Sequence, residues 1–299
     1  MSRRLAQQLA RVARDHTSGA AQLALESARA VKEWLERHAS PSEAQLEDVV
    51  LNLLRLQSSM APILRLANEV ALAADGPDRA RALATRLRAF ILSLDRARAC
   101  IARHFTAALG KSPRLTAATY SFSSTVIGAF TAARARVNSV LVAESRPALE
   151  GRLTARRLAE ARIPVLYTTD TGLLGLLHSA SVFAVGADAV LSHSFVNKIG
   201  TRTACLAARE AGVPVFLLSD ATKFLPEELA VPFWRPSEGP SALVWAGAPR
   251  GIALRSPLFE HTELVHVRVI TESGVLEASE VRRAVESVQV SPRLKRLAD

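Results

Sequence analysis

Along the first third of the chain, apolar residues recur at the spacing of a helix face. Leu23, Leu25, Ala28, Val31 and Leu35 form one series, and Val49, Val50, Leu53, Leu54 and Leu56 another. This i, i+3, i+4 recurrence turns one stripe of an α-helix toward a core. The pattern runs from residue 3 to 110 and breaks twice. At 38–43 the run Ser40-Pro41-Ser42 supplies a helix start, and Asp75-Gly76-Pro77-Asp78 ends one helix and caps the next. Three or four amphipathic helices are predicted there.

From residue 139 the period changes. Short apolar, β-branched runs at 139–143, 165–168, 181–185 and 214–218 alternate with Ala/Leu/Arg-rich stretches at 153–161, 171–180 and 201–211, each opening near a threonine able to cap it. Such alternation predicts a parallel sheet with right-handed crossovers. Residues 231–257 have little period and read as an irregular excursion before a last strand at 265–270. The expected class is α/β: an N-terminal helical bundle over 1–112, then a Rossmann-like parallel sheet with helices on both faces over 113–299.

Composition narrows the classes. Hydrophobic residues are 49% of the 299, enough for one large or two ordinary domains. The apolar runs at 182–185 and 213–218 fall far short of the ~20 residues that cross a bilayer. Met1-Ser2-Arg3-Arg4-Leu5 carries charge with no apolar core after it, and Arg11, Arg14 and Asp15 keep the segment polar, so no secretion signal is expected. Two cysteines, Cys100 and Cys205, lack the spacing of a disulfide framework or a metal site. A cytoplasmic protein without metal or cofactor is the expectation. The formal net charge of +10 would suit a polyanion, but the arginines are scattered over helix faces and aromatics are only 5%. Solvated faces are the better reading, and nucleic acid is a minor one.

In an open α/β sheet, ligands bind beyond the carboxyl ends of the strands, where the loops 144–151, 170–172, 186–200 and 219–223 would converge. Asn197 and Lys198 precede the helix opening at Gly200-Thr201, a place where free amides favour an anion. Asp188 follows a strand and is either a ligand group or a turn cap. Glu144, Ser145 and Arg146 either touch a ligand or brace the loops. His178 and His193 have no partners in the pattern, and Cys205 and Cys100 read as core filler.

Several blocks taken together carry a resemblance: Glu144-Ser145-Arg146-Pro147 with Glu150-Gly151-Arg152, Gly186-Ala187-Asp188, Val196-Asn197-Lys198-Ile199-Gly200-Thr201, Lys223-Phe224 and Thr271-Glu272-Ser273-Gly274-Val275. They resemble the superfamily of translation initiation factor 2B α/β/δ subunits, methylthioribose-1-phosphate isomerase and ribose-1,5-bisphosphate isomerase. The likeness covers residues 139–275, and the helical half is similar in outline through Ser18-Gly19-Ala20 and Ser59-Met60-Ala61-Pro62. It implies a phosphorylated sugar or nucleotide as ligand and a homodimer formed through the C-terminal domain. It also implies phosphate or ligand contacts from Asn197, Lys198, Lys223, Glu144, Arg146 and Gly151, with Thr119, Tyr120 and Ser121 alongside, and Asp188 as a proton-transfer group in an isomerase.

Aldose–ketose isomerisation needs an acid and a base on adjacent carbons and cationic or amide donors for phosphate. In the enzymes the second group is a cysteine after a Thr-His pair. Here the run is Thr116-Ala117-Ala118-Thr119-Tyr120-Ser121, which aligns Thr119 with that cysteine. A thiol of pKa about 8.5 can be tuned toward neutrality, whereas a threonine hydroxyl cannot. The enzymes also tend to carry arginine where this chain has Ser18 and Ser58-Ser59. The run Thr119-Tyr120-Ser121 resembles the initiation-factor branch, which lacks the cysteine. The expectation is an initiation-factor-2B-like, regulatory, non-catalytic protein with a phosphate pocket. The alternative is a pentose-phosphate isomerase using Asp188 with Tyr120, Ser121 or water.

Overall fold

The computed structural model describes residues 2–15, 19–56, 59–110, 114–235 and 238–298. Ser18, Ser58 and the expected boundary at 112–113 lie outside the described residues. The chain divides into two compact units, one of Met1–Ala97, Ala221–Arg235 and Arg283–Asp299, the other of Arg98–Asp220 and Pro236–Arg282.

The helical unit is built on α1 (Arg3–Arg14), α2 (Ala20–Glu36), α3 (Glu43–Leu56), α4 (Ala61–Ala74) and the first part of α5 (Arg79–Ala108). Five helices stand among the described residues where three or four are predicted. The two breaks read from sequence are real, and their chemistry is local. The Ser42 hydroxyl accepts from Gln45 N at 3.3 Å while the Gln45 side-chain Oε1 accepts from Ser42 N at 2.9 Å, a reciprocal cap that opens α3. Asp78 accepts from Arg81 N at 3.2 Å and opens α5. Helix α4 is buried almost all round, which makes it the centre of this unit. Its Asn68 is also buried, and satisfied from far along the chain: Nδ2 donates to Gln289 O at 2.8 Å and Oδ1 accepts from Ser291 N at 2.9 Å. Those bonds fix the C-terminal segment in the unit, and Arg293 strengthens the attachment through Asp75 at 2.8 Å and Glu43 at 2.6 Å.

The α/β unit carries, in chain order, β1 (Leu115–Thr119), α6 (Ser124–Ala132), β2 (Val137–Ala143), α7 (Gly151–Glu160), β3 (Val165–Thr168), α8 (Asp170–Leu176) and β4 (Val182–Val185). Strands β5 (Ala189–Val190) and β6 (Ser194–Lys198) follow, then α9 (Thr201–Glu210), β7 (Val215–Leu218), β8 (Phe259–Glu263), β9 (Arg268–Thr271) and β10 (Gly274–Leu276). Between β7 and β8 the chain visits the helical unit through α10 (Glu227–Phe233), and after β10 it ends with α11 (Ala278–Glu286) and α12 (Pro292–Ala298). Seven of the strands among the described residues form one sheet in the order β10-β9-β7-β4-β1-β2-β3. All neighbours are parallel except β10 with β9. Strands β4 and β7 are buried at every position, as a sheet covered on both faces requires. Phe105 of α5 meets Phe130 of α6 and Phe216 of β7 edge-on, with centroids 5.6 and 6.1 Å apart.

The sheet strands predicted at 139–143, 165–168, 181–185 and 214–218 are present to within two residues. The predicted strand at 265–270 begins later, because a 3-10 turn, Leu264–His266, comes first. Among the elements not predicted are β1, whose Leu-Thr-Ala-Ala-Thr is poor in β-branched apolar residues, α6, the antiparallel edge strand β10, and a second, antiparallel sheet, β5-β6-β8. Asn197 and Lys198 therefore stand on a strand and not in a loop.

Candidate functional site

The chain runs β1, β2, β3 toward one edge of the sheet and then crosses to β4 on the other side of β1. The carboxyl ends of β1 and β4 are thus the topological switch point, where an open sheet leaves a crevice. Gly186 follows β4, and a Cβ there would lie 2.5 Å from Ser123 Oγ, so glycine lets the two exits approach.

Ser121, just past β1, has φ +66°, and Ser145, just past β2, has φ +61°. Neither is glycine, so other contacts must hold these left-handed turns. Ser145 Oγ accepts from Ser121 N at 2.8 Å and donates to Ala143 O at 3.3 Å, while Thr154 Oγ1 of α7 donates to Ser121 O at 2.8 Å. Both backbone groups of Ser121 are engaged by buried side chains. Gly151, the first residue of α7, is pressed onto the end of β2, and a Cβ there would overlap the Ala143 carbonyl oxygen.

Asp170, at the start of α8, gathers the same loops. Its carboxylate accepts from Ser145 N at 2.7 Å and Arg146 N at 2.8 Å. Burial first, then the charge of Asp170 and a hydrogen bond to it, push the Tyr120 phenol far above its ordinary pKa. The phenol lies against Gly200, which caps α9 with φ +95° and has no room for a Cβ there.

Lys198 is the most unusual side chain of the unit. It is 3% exposed, its Nζ is 2.7 Å from Glu150 Oε1, and it lies 5.0 Å from the centroid of Phe259 on β8. The second Glu150 oxygen is buried and has no hydrogen-bond donor among the described residues. Asn197 Nδ2 donates to Thr201 Oγ1 at 3.0 Å, and that hydroxyl donates to Lys198 O at 2.6 Å. The start of α9, read from sequence as a place for an anion, is partly taken, because the Arg202 amide donates to Glu260 Oε1 at 2.8 Å.

The structure thus brings Thr119, Tyr120, Ser121, Gly151, Asn197 and Lys198 around the ends of β1, β2 and β6. Asp188 is half-buried in the turn between β4 and β5, its N–H donating to Val196 O at 2.8 Å. Glu144 is half-buried, whereas Arg146 is exposed and donates to Val244 O at 3.3 Å. The loops are braced by Asp170, not by a pair between Glu144 and Arg146. Lys223 is buried on the turn Ala221–Lys223, which belongs to the helical unit. Cys205 is buried on α9, and burial pushes its thiol up to about 12. His178 and His193 are exposed. Sequence reasoning did not single out Glu150 and Asp170. The signals available were the Glu150-Gly151-Arg152 block and Thr169, whose hydroxyl caps α8 by accepting from Gly172 N at 3.1 Å.

Among the described residues no helix is long and apolar enough to cross a membrane, and no group of His, Cys, Asp or Glu could hold a metal ion. The family model of the initiation factor 2 subunit family matches residues 1–278. The chain belongs to that family. Ribose 1,5-bisphosphate isomerase of Archaeoglobus fulgidus is 33% identical over 144 residues, 46% of this chain and 45% of that protein. The 5-deoxyribose 1-phosphate isomerase of Moorella thermoacetica is 36% identical over 155 residues, 48% of this chain and 44% of that protein. The chain spans about half the length of the curated relatives it matches. Among solved structures, the translation initiation factor eIF-2B of Pyrococcus horikoshii aligns with TM-score 0.75 and 26% identity, covering 92% of this chain and 98% of that one. The 5-methylthioribose 1-phosphate isomerase of the same organism aligns at 0.70 with 15% identity over 98% and 88%, a likeness of fold alone. The proteins this chain is similar to thus include both isomerases and an initiation factor.

Proposed function

We propose that the chain binds a phosphorylated sugar or nucleotide at the carboxyl ends of β1, β4 and β6 and acts as a regulatory, non-catalytic member of its family. The observation that carries this reading is the buried Lys198–Glu150 pair. Lys198 offers a cation shielded from water, where a phosphate oxygen is attracted far more strongly than at the surface. The unpartnered Glu150 oxygen is an acceptor ready for a hydroxyl of the ligand. Asn197 and the Tyr120 phenol supply neutral polar groups beside them.

Two observations favour binding without turnover. Thr119, which the resemblance puts in the place of the enzymes' cysteine, is a buried alcohol, and Cys205 stays a neutral thiol at physiological pH. The isomerase reading is kept because the matched relatives from Archaeoglobus and Moorella are isomerases. In it, Asp188 works with Tyr120, Ser121 or water on a phosphorylated pentose. A homodimer through the α/β unit belongs to the same proposal, and the edge strand β3 leaves Leu166 and Tyr167 exposed for it. Sedimentation showing a monomer at micromolar concentration would remove that part.

The test is calorimetric titration of ribose-1,5-bisphosphate, methylthioribose-1-phosphate and nucleoside monophosphates into wild type and Lys198→Met, with product analysis of the same mixtures. Binding lost in the variant without product supports a sensor. Product from wild type restores the isomerase reading, and an absence of binding refutes both.

A further inference from the structure

Residues 238–257, within the stretch that has little period in the sequence, form a closed loop on the α/β unit. Its ends are tied: Glu238 and Pro257 form an antiparallel bridge, Gly239 N donates to Ser256 O at 2.8 Å, and Arg255 Nε donates to Glu238 Oε1 at 3.0 Å. A loop closed in this way holds its shape from its own residues. Its tip is apolar and open to water, with Val244, Trp245 and Ile252 exposed and Trp245 50% accessible. Trp245, Ile252 and Leu254 wall a hollow of about 370 Å³, in which Gly247 and Ala248 leave room and Ser241 is the polar group. Single exposed apolar residues are ordinary, whereas several around one concavity mark a binding site.

One turn joins this hollow to the site at Lys198. Arg146 Nη2 donates to Val244 O, next to Trp245, while Asp170 holds the Arg146 amide. Leu149 N donates to Ser145 O at 2.9 Å and Gly151 N to Glu144 O at 3.2 Å, which folds 144–151 on itself. Arg146 and Glu150, the partner of Lys198, both stand on that turn, with Cα atoms no more than about 14 Å apart. Among the described residues no charged side chain lines the hollow, so it suits a neutral group and not a second phosphate. Its volume is that of about a dozen waters, room for a fused ring and more than a methylthio group fills. The exposed indole offers a flat face on which a nucleobase stacks, and Ser241 supplies a hydroxyl for the ring edge. We infer, resting on the phosphate reading at Lys198, that the hollow is the base subsite of the same site and that the ligand is a nucleoside monophosphate, with its phosphate at Lys198 and its base on Trp245.

Adenosine monophosphate and ribose 5-phosphate, which differ by the base, are titrated into the full chain by calorimetry and tryptophan fluorescence, in wild type, Trp245→Ala, Trp245→Phe and Lys198→Met. Of the three tryptophans, Trp34 and Trp234 are buried in the helical unit, so quenching by a base reports Trp245. Wild type is expected to bind adenosine monophosphate at least about tenfold more tightly than ribose 5-phosphate, with saturable quenching. Trp245→Ala should lose that preference and Trp245→Phe, which keeps an aromatic face, should retain most of it. Lys198→Met should lose both the binding and the quenching. Equal affinity of wild type for the two ligands, unchanged fluorescence with adenosine monophosphate, or a preference kept by Trp245→Ala would each overturn the base subsite, and ribose 5-phosphate binding that depends on Lys198 would then leave the earlier reading standing. Quenching that persists in Lys198→Met overturns the shared site, since the base would bind without the phosphate contact. If neither ligand binds wild type, the reading at Lys198 falls and the subsite with it.

Discussion

Removing either partner of the Lys198–Glu150 pair should destabilise the α/β unit, by amounts that differ because the two side chains are buried to different depths. Lys198 is 3% exposed and Glu150 32%. Glu150→Gln strands an ammonium where water does not reach, and the loss of one partner of a buried pair costs about 3–5 kcal/mol. Lys198→Met strands a carboxylate that is one-third open and can hydrate, so the lower figure of about 1–3 kcal/mol applies. Replacing both with apolar residues, Lys198→Met with Glu150→Leu, leaves no stranded charge and should return stability to within about 1 kcal/mol of wild type. The cycle is closed with Glu150→Leu as the single variant, and the same figures make its coupling about 3–8 kcal/mol. Urea titrations followed by far-UV circular dichroism give these differences. In thermal melts, Glu150→Gln should lower Tm by on the order of 10 °C, at about 2–4 °C per kcal/mol. A Glu150→Gln protein within about 0.5 kcal/mol of wild type would refute the reasoning, because Lys198 could then not be buried against that carboxylate alone.

Further outcomes concern the turns and the thiol. Ser145→Ala leaves the Ser121 amide without its acceptor in a left-handed turn and should cost about 1–3 kcal/mol in urea titration, with weaker ligand binding because the β1 exit is released. Gly151→Ala places a methyl on the Ala143 carbonyl oxygen and should cost about 1–3 kcal/mol or more, read as a lowered Tm. Native Cys205, its thiol raised to about 12, should react with iodoacetamide at pH 8.5 about 10³-fold more slowly than in urea, where the thiol titrates near 8.5; mass spectrometry of the peptides measures this. Because the folded state holds that proton over a range in which the unfolded state has lost it, the Cys205 contribution favours unfolding as pH rises from about 9 to about 12. A Cys205→Ala protein should therefore lose less stability across that window than wild type.

Some of this architecture follows from neighbours in the sequence. The Ser42 and Gln45 pair and the Asp78 cap act over three residues, so the helix breaks were legible without tertiary contacts. The apolar strands at 181–185 and 214–218 were legible for a similar reason, since a strand buried on both faces must be apolar throughout. The loops past β2 and β4 were legible as a set of blocks, although their individual bonds were not. Ser145 looked like a loop residue, and only its position against Ser121 makes it a brace.

What the sequence by itself determined is the class of the protein, helices followed by a parallel sheet, together with the family to which its loops belong. The tertiary structure alone decided where separate stretches meet. Strand β6 pairs with β8 across some sixty residues of chain, which turns Asn197 and Lys198 from loop positions into buried ones. Glu150 meets Lys198 from another crossover, and Asn68 draws residues 289–291 back into the helical unit. Helix and strand periods are short-range and survive in any local window. The burial of a charge depends on which distant segment covers it, and no local pattern records that.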